Sequence, residues 1–361
     1  MSQNGTDALV SDFEKLKLPE DKVTANKLLT QESKYETQHR DFMLSNGVEI
    51  SKELTPDLEK SLSEVCDALR IKRQQVKAFV YANSELQADC HSFGSDHCVI
   101  RFSSALVNLL DIWEFKFVAG HEVGHFILGH LSCNETNSKN SSFESLLIQR
   151  SRELSADRIG YLACGSLEES VQAMMKVASG LTETNLRLDI ARFIAQLNQI
   201  SEGSFSSGIT NTHPALIIRA RSLVWLSTKL SSIEEIGNIS QLDLKWVNQR
   251  VLKDLAEFVD GGVRKAQSEL KEEILVLKLC CLIAAEGKLT KPIQNKIIAF
   301  RDKSYLDRII NMLTSYDSDA VIPVFERKLS GSLEQLRRDF PISAIDIENE
   351  VFEEAYGTLS D

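Results

Sequence analysis

Hydrophobic residues recur at helical spacing along most of the chain, and the first well-marked helix begins at Thr55-Pro56. A hydroxyl residue followed by proline is typical of a helix N-terminus. The apolar residues that follow lie along one helical face: Leu58, Leu62, Val65 and Leu69. Residues 1–50 are polar and charged and lack such a stripe, so we interpret them as an N-terminal arm or a loosely docked helix.

After this helix the pattern changes to short runs rich in β-branched and aromatic residues. These runs predict strands over residues 76–81, 87–93 and 98–102, with a turn around Gly94-Ser95-Asp96. Their close spacing indicates a small antiparallel sheet.

From Trp113 onward the apolar spacing is helical again. Helices are predicted over residues 113–131, 143–163, 167–179 and 186–199, after Pro214, and through most of residues 231–361. The chain is therefore predicted to be α+β and mainly α. Residues 51–230 would form the domain that contains the sheet, and residues 231–361 an all-helical C-terminal domain, which agrees with two domains for 361 residues.

Composition narrows the possible functions. A net charge of −11 without a long basic run disfavours nucleic-acid binding. The N-terminus lacks a secretory signal, and no apolar stretch approaches the ~20 residues of a transmembrane helix. Seven scattered cysteines fit reduced thiols. Together these features predict a soluble cytoplasmic protein without a membrane span.

The sequence His121-Glu122-Val123-Gly124-His125 carries the clearest chemistry. On a helix, two histidines four residues apart project from one face, a spacing that suits one zinc ion. Glu122 points within about 80° of their mean direction. It can therefore reach a metal-bound water and act as the general base of peptide hydrolysis.

A catalytic zinc takes three protein ligands and keeps one open position, so a third ligand is needed. His130 is near in sequence, but it lies about 160° around the helix and could approach only if the helix ended early. Glu153 on the next predicted helix is the better candidate. Asp157, one turn further, can accept a hydrogen bond from a ligand histidine. The alternative interpretation is that Glu153 and Asp157 bind no metal and belong to a solvent-exposed acidic face of their helix.

A second group of potential metal ligands brackets the predicted turn: Cys90, His91, His97 and Cys98. Alternation along a strand sends neighbouring side chains to opposite faces, so only one residue of each adjacent pair can face a shared metal. Half-buried cysteines and polar histidines are the favoured interpretation, and a second metal remains the alternative.

The order of these features resembles the HtpX-like and CAAX prenyl endopeptidase-like gluzincins, across roughly residues 55–225. The segment Thr212-His213-Pro214, with Arg219 after it, is similar to the cleft-lining segment of that family. The resemblance implies that His213 stabilises the oxyanion and that Arg219 orients the site through Asp157 or nearby carboxylates. It also implies an edge strand for peptide substrate at Ala88, Asp89 and Cys90, although the family's usual Asn-Ala-Phe-like sequence is absent there.

Two functions from different classes follow. The first is a zinc endopeptidase with one Zn²⁺ per chain, acting on protein or peptide substrates. The second is a catalytically silent zinc protein that binds peptides as a scaffold. Glu122 favours the first, because a purely structural zinc site needs no base. Residues 280–293 faintly resemble a TerB-like helical module, so the C-terminal helices are predicted to recruit a substrate or a protein partner.

Overall fold

The computed structural model describes residues 12–24, 42, 45–92, 96–131, 142–199 and 214–360. The chain divides into two compact units. The first comprises residues 1–139 and 147–259, and the second comprises residues 140–146 and 260–361. The sequence places a domain boundary near residue 230, and that boundary stays a prediction.

The first unit contains a four-stranded sheet in the order β1-β2-β4-β3. The strands are β1 (Val48–Glu49), β2 (Val76–Tyr81), β3 (Ala88–Ser92) and β4 (Cys98–Ser103). The β3·β4 pair is antiparallel, as predicted. The β1·β2 pair, which involves a strand that the sequence did not predict, is also antiparallel, but β2 and β4 run parallel. The sheet is therefore mixed, and the antiparallel prediction is wrong for this pair. The alternation of apolar and polar residues identifies each strand. It does not show that the β3·β4 hairpin pairs with β2 through β4, so that β3 becomes an edge strand.

Helices account for most of the other described residues of the first unit. They are α1 (Pro56–Ala68), α2 (Ser104–Leu109), α3 (Ile112–Ile127), α4 (Phe143–Cys164), α5 (Leu167–Ser179), α6 (Ile190–Ala195), α7 (Leu216–Ser227) and α8 (Gln241–Phe258), although the first four residues of α4 belong to the second unit. The hydroxyl of Thr55 does not cap α1, contrary to the sequence prediction, because it accepts the backbone N–H of Ser51 instead.

The regular elements among the described residues of the second unit are all helices. It contains α9 (Gly261–Glu286), α10 (Lys291–Phe300), α11 (Lys303–Ser315), α12 (Ser318–Asp339) and α13 (Ala344–Ser360). Its longest helix, α9, packs on α12 and α13 through buried apolar residues such as Ile274 and Leu279. No helix among the described parts of the chain is both long enough and apolar enough to cross a bilayer.

The segment of residues 12–24 packs more closely than an arm would. Phe13, Leu16 and Leu18 are at most 1% exposed and belong to the main core of the first unit. The backbone is held as well, since Leu18 N–H donates to Ser155 Oγ and Arg158 Nη1 donates to Leu16 O. A run of residues that looks polar on average thus contributes three core side chains.

Small residues let α3 and α4 approach each other closely. A Cβ atom added to Gly160 would lie 2.7 Å from Phe117 O and 3.0 Å from His121 N. A Cβ added to Gly120 would lie 2.7 Å from Cβ of Ala163. Because neither glycine has a side chain, the two backbones come close enough for polar side chains of α4 to reach those of α3.

Candidate metal centre

Two histidines of α3 and one carboxylate of α4 meet in the first unit. The Nε2 atoms of His121 and His125 lie 3.1 Å apart. Glu153 places Oε1 3.4 Å from His125 Nε2 and Oε2 3.6 Å from His121 Nε2. All three side chains are buried or nearly so, and their donor atoms can hold a single metal ion.

The separations fit zinc. Ligand atoms at about 2.0–2.2 Å from a tetrahedral zinc lie about 3.3–3.6 Å from one another. The distance of 3.4 Å from His125 Nε2 to Glu153 Oε1 and that of 3.6 Å from His121 Nε2 to the other oxygen, Oε2, fall in this range, and the 3.1 Å between the two Nε2 atoms is slightly shorter. Two imidazoles and one carboxylate also form a donor set found in hydrolytic zinc sites, with a fourth position left for water or substrate.

The start of α3 is fixed by a reciprocal cap. Asp111 Oδ1 accepts the backbone N–H groups of Trp113 and Glu114, and Glu114 Oε2 accepts the N–H of Asp111. Such a capping box sets where the helix begins, and it therefore fixes the positions of the histidines along the chain. Trp113, at which the helical apolar spacing of the sequence begins, is 51% exposed.

His121 has a carboxylate partner on its second ring nitrogen. Asp157 Oδ1 lies 3.0 Å from His121 Nδ1. Arg219 on α7 donates to both oxygens of this carboxylate, from Nε at 2.8 Å and Nη2 at 2.7 Å. Burial alone would raise the pKa of Asp157, but the charge and hydrogen bonds of Arg219 lower that pKa overall, so the carboxylate is ionised.

His125 also has a partner on its second ring nitrogen. His130 Nδ1 lies 3.0 Å from His125 Nδ1, and His130 Nε2 lies 3.0 Å from Oδ2 of Asp21. Burial lowers the pKa of His130 to about 4, so the ring is neutral at pH 7. His130 thus lies beside the candidate ligand His125 and is not part of the set His121, His125 and Glu153 that could hold a metal ion. The sequence did not associate Asp21 with the site.

The end of α3 explains how His130 reaches this position. The helix ends at Ile127, and Gly129 adopts a left-handed φ of 72°. His130 N–H then bonds to His125 O, and Gly129 N–H bonds to Phe126 O. This pair of bonds is the Schellman motif, which turns the chain back over the last helical turn. Gly129 is the feature of the sequence that could have indicated an early end of the helix, which is what allows His130 to approach His125.

Glu122 lies on the same helix and is 7% exposed. Burial raises the pKa of its carboxyl group, the neighbouring histidines lower it, and the charges of Glu153 and Asp89 raise it, with a net increase above the usual glutamate value. A buried carboxylate with a raised pKa beside potential metal ligands is a suitable proton acceptor.

The residues assigned to a substrate strand lie on β3, the edge strand that packs beside α3. Ala88 pairs with Phe102, and Cys90 pairs with Ile100. Asp89 is engaged by Arg101, which donates to both of its oxygens at 2.6 Å. The other side of the strand has no strand partner in the described residues, so main-chain groups remain for an added peptide.

Two further predictions from the sequence concern His213 and the possible second metal site around the hairpin. His213 lies outside the described residues. For the group around the hairpin, His91 Nε2 pairs with Asp89 Oδ1 at 2.8 Å and His97 is exposed. Within the described ranges, the sets of three or more possible metal ligands include neither these histidines nor Cys90 and Cys98.

One further acidic group was not identified from the sequence: Asp111, Glu114 and Glu169. We assign it to helix capping and ion pairing rather than to a metal, since Glu114 Oε2 already accepts from Asp111 N–H and from Lys176 Nζ at 2.8 Å.

Comparison with known proteins bears on the same region. Residues 52–140 match the model of Peptidase family M48, a stretch that includes α1, the strands β2, β3 and β4, α3 and the two histidines with Glu122. The match supports a zincin-type metallopeptidase and ends before Glu153. Searches of curated proteins and of solved structures returned no match.

Proposed function

We propose that this protein is a zinc-dependent endopeptidase that hydrolyses peptide bonds of protein substrates. His121, His125 and Glu153 would hold the zinc ion, and Glu122 would be the general base. The observation that carries the proposal is the convergence of two imidazoles and a carboxylate beside a buried glutamate. The match of residues 52–140 to a peptidase family supports it.

Each residue has a defined chemical task. When bound, zinc supplies Lewis acidity, which lowers the pKa of water to about 7 and polarises the peptide carbonyl. Glu122 accepts the proton of the attacking water and delivers it to the leaving amine, a contribution of about 10²–10⁴ in rate. Its raised pKa helps the first transfer, since a stronger base accepts the proton more readily.

The substrate would bind as an extended chain along β3. An edge strand offers unpaired N–H and C=O groups, and a peptide that pairs with them is held by main-chain hydrogen bonds. Because Arg101 neutralises Asp89, this strand does not present a free negative charge to the peptide. Selection would then depend on the shape of the neighbouring side chains more than on charge.

The finer assignments belong to the same proposal. They are a relationship to the HtpX-like and CAAX prenyl endopeptidase-like gluzincins and stabilisation of the oxyanion by His213. Recruitment of a partner by the C-terminal helices and the TerB-like resemblance stay predictions. A cytoplasmic location is also part of the proposal, since the cysteines are odd in number and scattered along the sequence.

Two variants test the proposal. Glu122→Gln should keep zinc but lose about 10²–10⁴ in cleavage rate, because the shape remains while the base is removed. His125→Ala should lose zinc. Zinc content is measured by metal analysis, and cleavage with a peptide library. Glu53→Gln, an exposed glutamate away from the site, is the matched control.

Different outcomes separate the two functions that the sequence allows. A wild-type protein that binds zinc yet cleaves no peptide of the library would favour the scaffold. A wild-type protein that binds no zinc would overturn both. For the active enzyme, capture of uncleaved substrates by Glu122→Gln would identify the natural substrate.

A further inference from the structure

We propose that His130 and Asp21 position the metal ligand His125, so that a segment near the N-terminus of the chain completes the metal centre. The inference rests on the proposed zinc site and deepens it. It assigns a function to residues 12–24, which the sequence does not connect with the chemistry.

The hydrogen-bond directions along this chain of residues are determined. If His125 uses Nε2 for the metal, its proton lies on Nδ1 and is donated to His130 Nδ1, 3.0 Å away. His130 must then carry its own proton on Nε2, which it donates to Asp21 Oδ2 at 3.0 Å. An ionised aspartate only accepts hydrogen bonds, so it fixes both tautomers in the sense that metal binding requires.

Both ligand histidines are connected to a buried carboxylate through their second ring nitrogen. His121 donates directly to Asp157, whereas His125 reaches a carboxylate through one intervening imidazole. Such partners orient a ligand ring and increase its basicity, and their replacement typically costs 10–100-fold in metal affinity. Both imidazoles therefore end on a buried carboxylate.

Anchoring of the N-terminal segment is a weaker explanation for these residues. The side chains of His130 and Asp21 are 3% and 1% exposed, and burial of such polar groups is costly. Phe13, Leu16 and Leu18 already fix the segment through apolar contacts. A second apolar pair would hold it at lower cost, but it could not orient an imidazole.

Asp21 is itself held in place from α4. Its carboxylate lies 3.7 Å from Nε of Arg152, the residue that precedes Glu153 on that helix. The helix that carries Glu153 thus also fixes the far end of the chain of hydrogen bonds, so one rigid element supports the ligand and the positioning carboxylate together.

The test uses the full chain with cobalt(II) or zinc as the probe. His130→Phe removes the acceptor for His125 but keeps a ring, His130→Gln retains an acceptor and a donor, and Asp21→Asn removes the charge. Asp12→Asn, on the same segment but paired with Lys15 outside the site, is the matched control. Zinc affinity is measured by competition with a chelator, the ligand field by the visible spectrum of the cobalt(II) form, and stability by urea unfolding after metal removal.

His130→Phe is expected to weaken zinc binding about 10–100-fold and to shift the cobalt(II) bands, and Asp21→Asn about tenfold. His130→Gln should recover most of the affinity, and Asp12→Asn should match the wild type. If His130→Phe does not fold, Asp21→Asn and His130→Gln carry the test. Reduced stability with unchanged affinity and an unchanged cobalt(II) spectrum in the folded variants would overturn the inference. Absence of zinc from the wild type would instead overturn the proposed function.

Discussion

Arg219 donates two hydrogen bonds to Asp157, whose Oδ1 in turn lies 3.0 Å from His121 Nδ1. The carboxylate has no exposed surface, so its charge is balanced by this guanidinium. Arg219 also places Nη1 3.6 Å from Oε2 of Glu153. One arginine of α7 thus contacts both carboxylates of α4, and its effect on the metal should pass through them.

Arg219→Lys should lower zinc affinity by about tenfold. Lysine keeps the positive charge but cannot form the two parallel hydrogen bonds that hold the Asp157 carboxylate against His121. Arg221→Lys, two residues along α7 and paired with Asp254, is the matched control and should bind zinc like the wild type. Competition with a chelator measures both. Equal affinity for Arg219→Lys and the wild type would show that charge alone suffices at this position.

Gly160→Ala should disrupt the metal centre by separating α3 from α4, although Gly160 is not itself a candidate ligand. The added Cβ would meet backbone atoms of Phe117 and His121, so α3 and α4 must separate. The expected cost is about 1–3 kcal/mol in the free energy of unfolding, with weaker zinc binding, because Glu153 moves away from the histidines.

Gly331→Ala is the control for that substitution. Gly331 also lies within a helix, but no atom lies within 4 Å of its added Cβ, so this change should stabilise the protein by about 0.5–1 kcal/mol. Urea unfolding distinguishes the two. A Gly160→Ala protein as stable as the wild type would mean that the helices are not held at their closest approach.

The local parts of the site could be predicted from the sequence. The spacing of His121 and His125 places them on one face, and the structure brings Glu153 to that face, with Asp157 beside His121. These relations depend on helical periodicity, which is short in range and robust to errors at helix ends. The bounds of α5 were predicted as the structure has them, because the capping serine and the terminal glycine are both explicit in the sequence.

The remaining relations depend on tertiary packing. The parallel pairing of β2 and β4 follows from strand order, which alternation does not encode. The sequence did not predict the burial of Phe13, Leu16 and Leu18, because a polar segment with only three apolar residues looks like one that is exposed to solvent. The contact of His130 with Asp21 joins residues far apart in the chain. It also requires that α3 ends at Ile127 and that the chain turns at Gly129.

Lys176→Met should destabilise the first unit strongly. Lys176 Nζ lies 2.8 Å from Glu114 Oε2, with side chains 2% and 0% exposed, so its removal leaves a buried charge without compensation. The expected loss is about 3–5 kcal/mol, and the double variant Glu114→Gln/Lys176→Met should recover most of it. Glu183→Gln removes the exposed partner of the same lysine and should change stability by less than about 1 kcal/mol. Similar losses for Lys176→Met and Glu183→Gln in urea unfolding would contradict this ranking.

Glu169 should make stability depend on pH in a direction opposite to that of most carboxylates. Burial first, and then the charges of Asp111 and Glu114, raise its pKa in the folded protein. In the range between its unfolded and folded pKa values the folded state binds more protons, so stability falls as pH rises through that range.

Glu169→Gln should therefore stabilise the protein at pH 7. The expected gain is about a few tenths of a kcal/mol, because the side chain is partly exposed. The gain should vanish below about pH 4, where the glutamate is protonated in both the folded and the unfolded state. Glu168→Gln, its exposed neighbour in the first turn of α5, is the control. Urea unfolding across the pH range measures both variants. A gain that persists unchanged at low pH would mean that the carboxylate charge is not its cause, because glutamine and protonated glutamate are then both neutral.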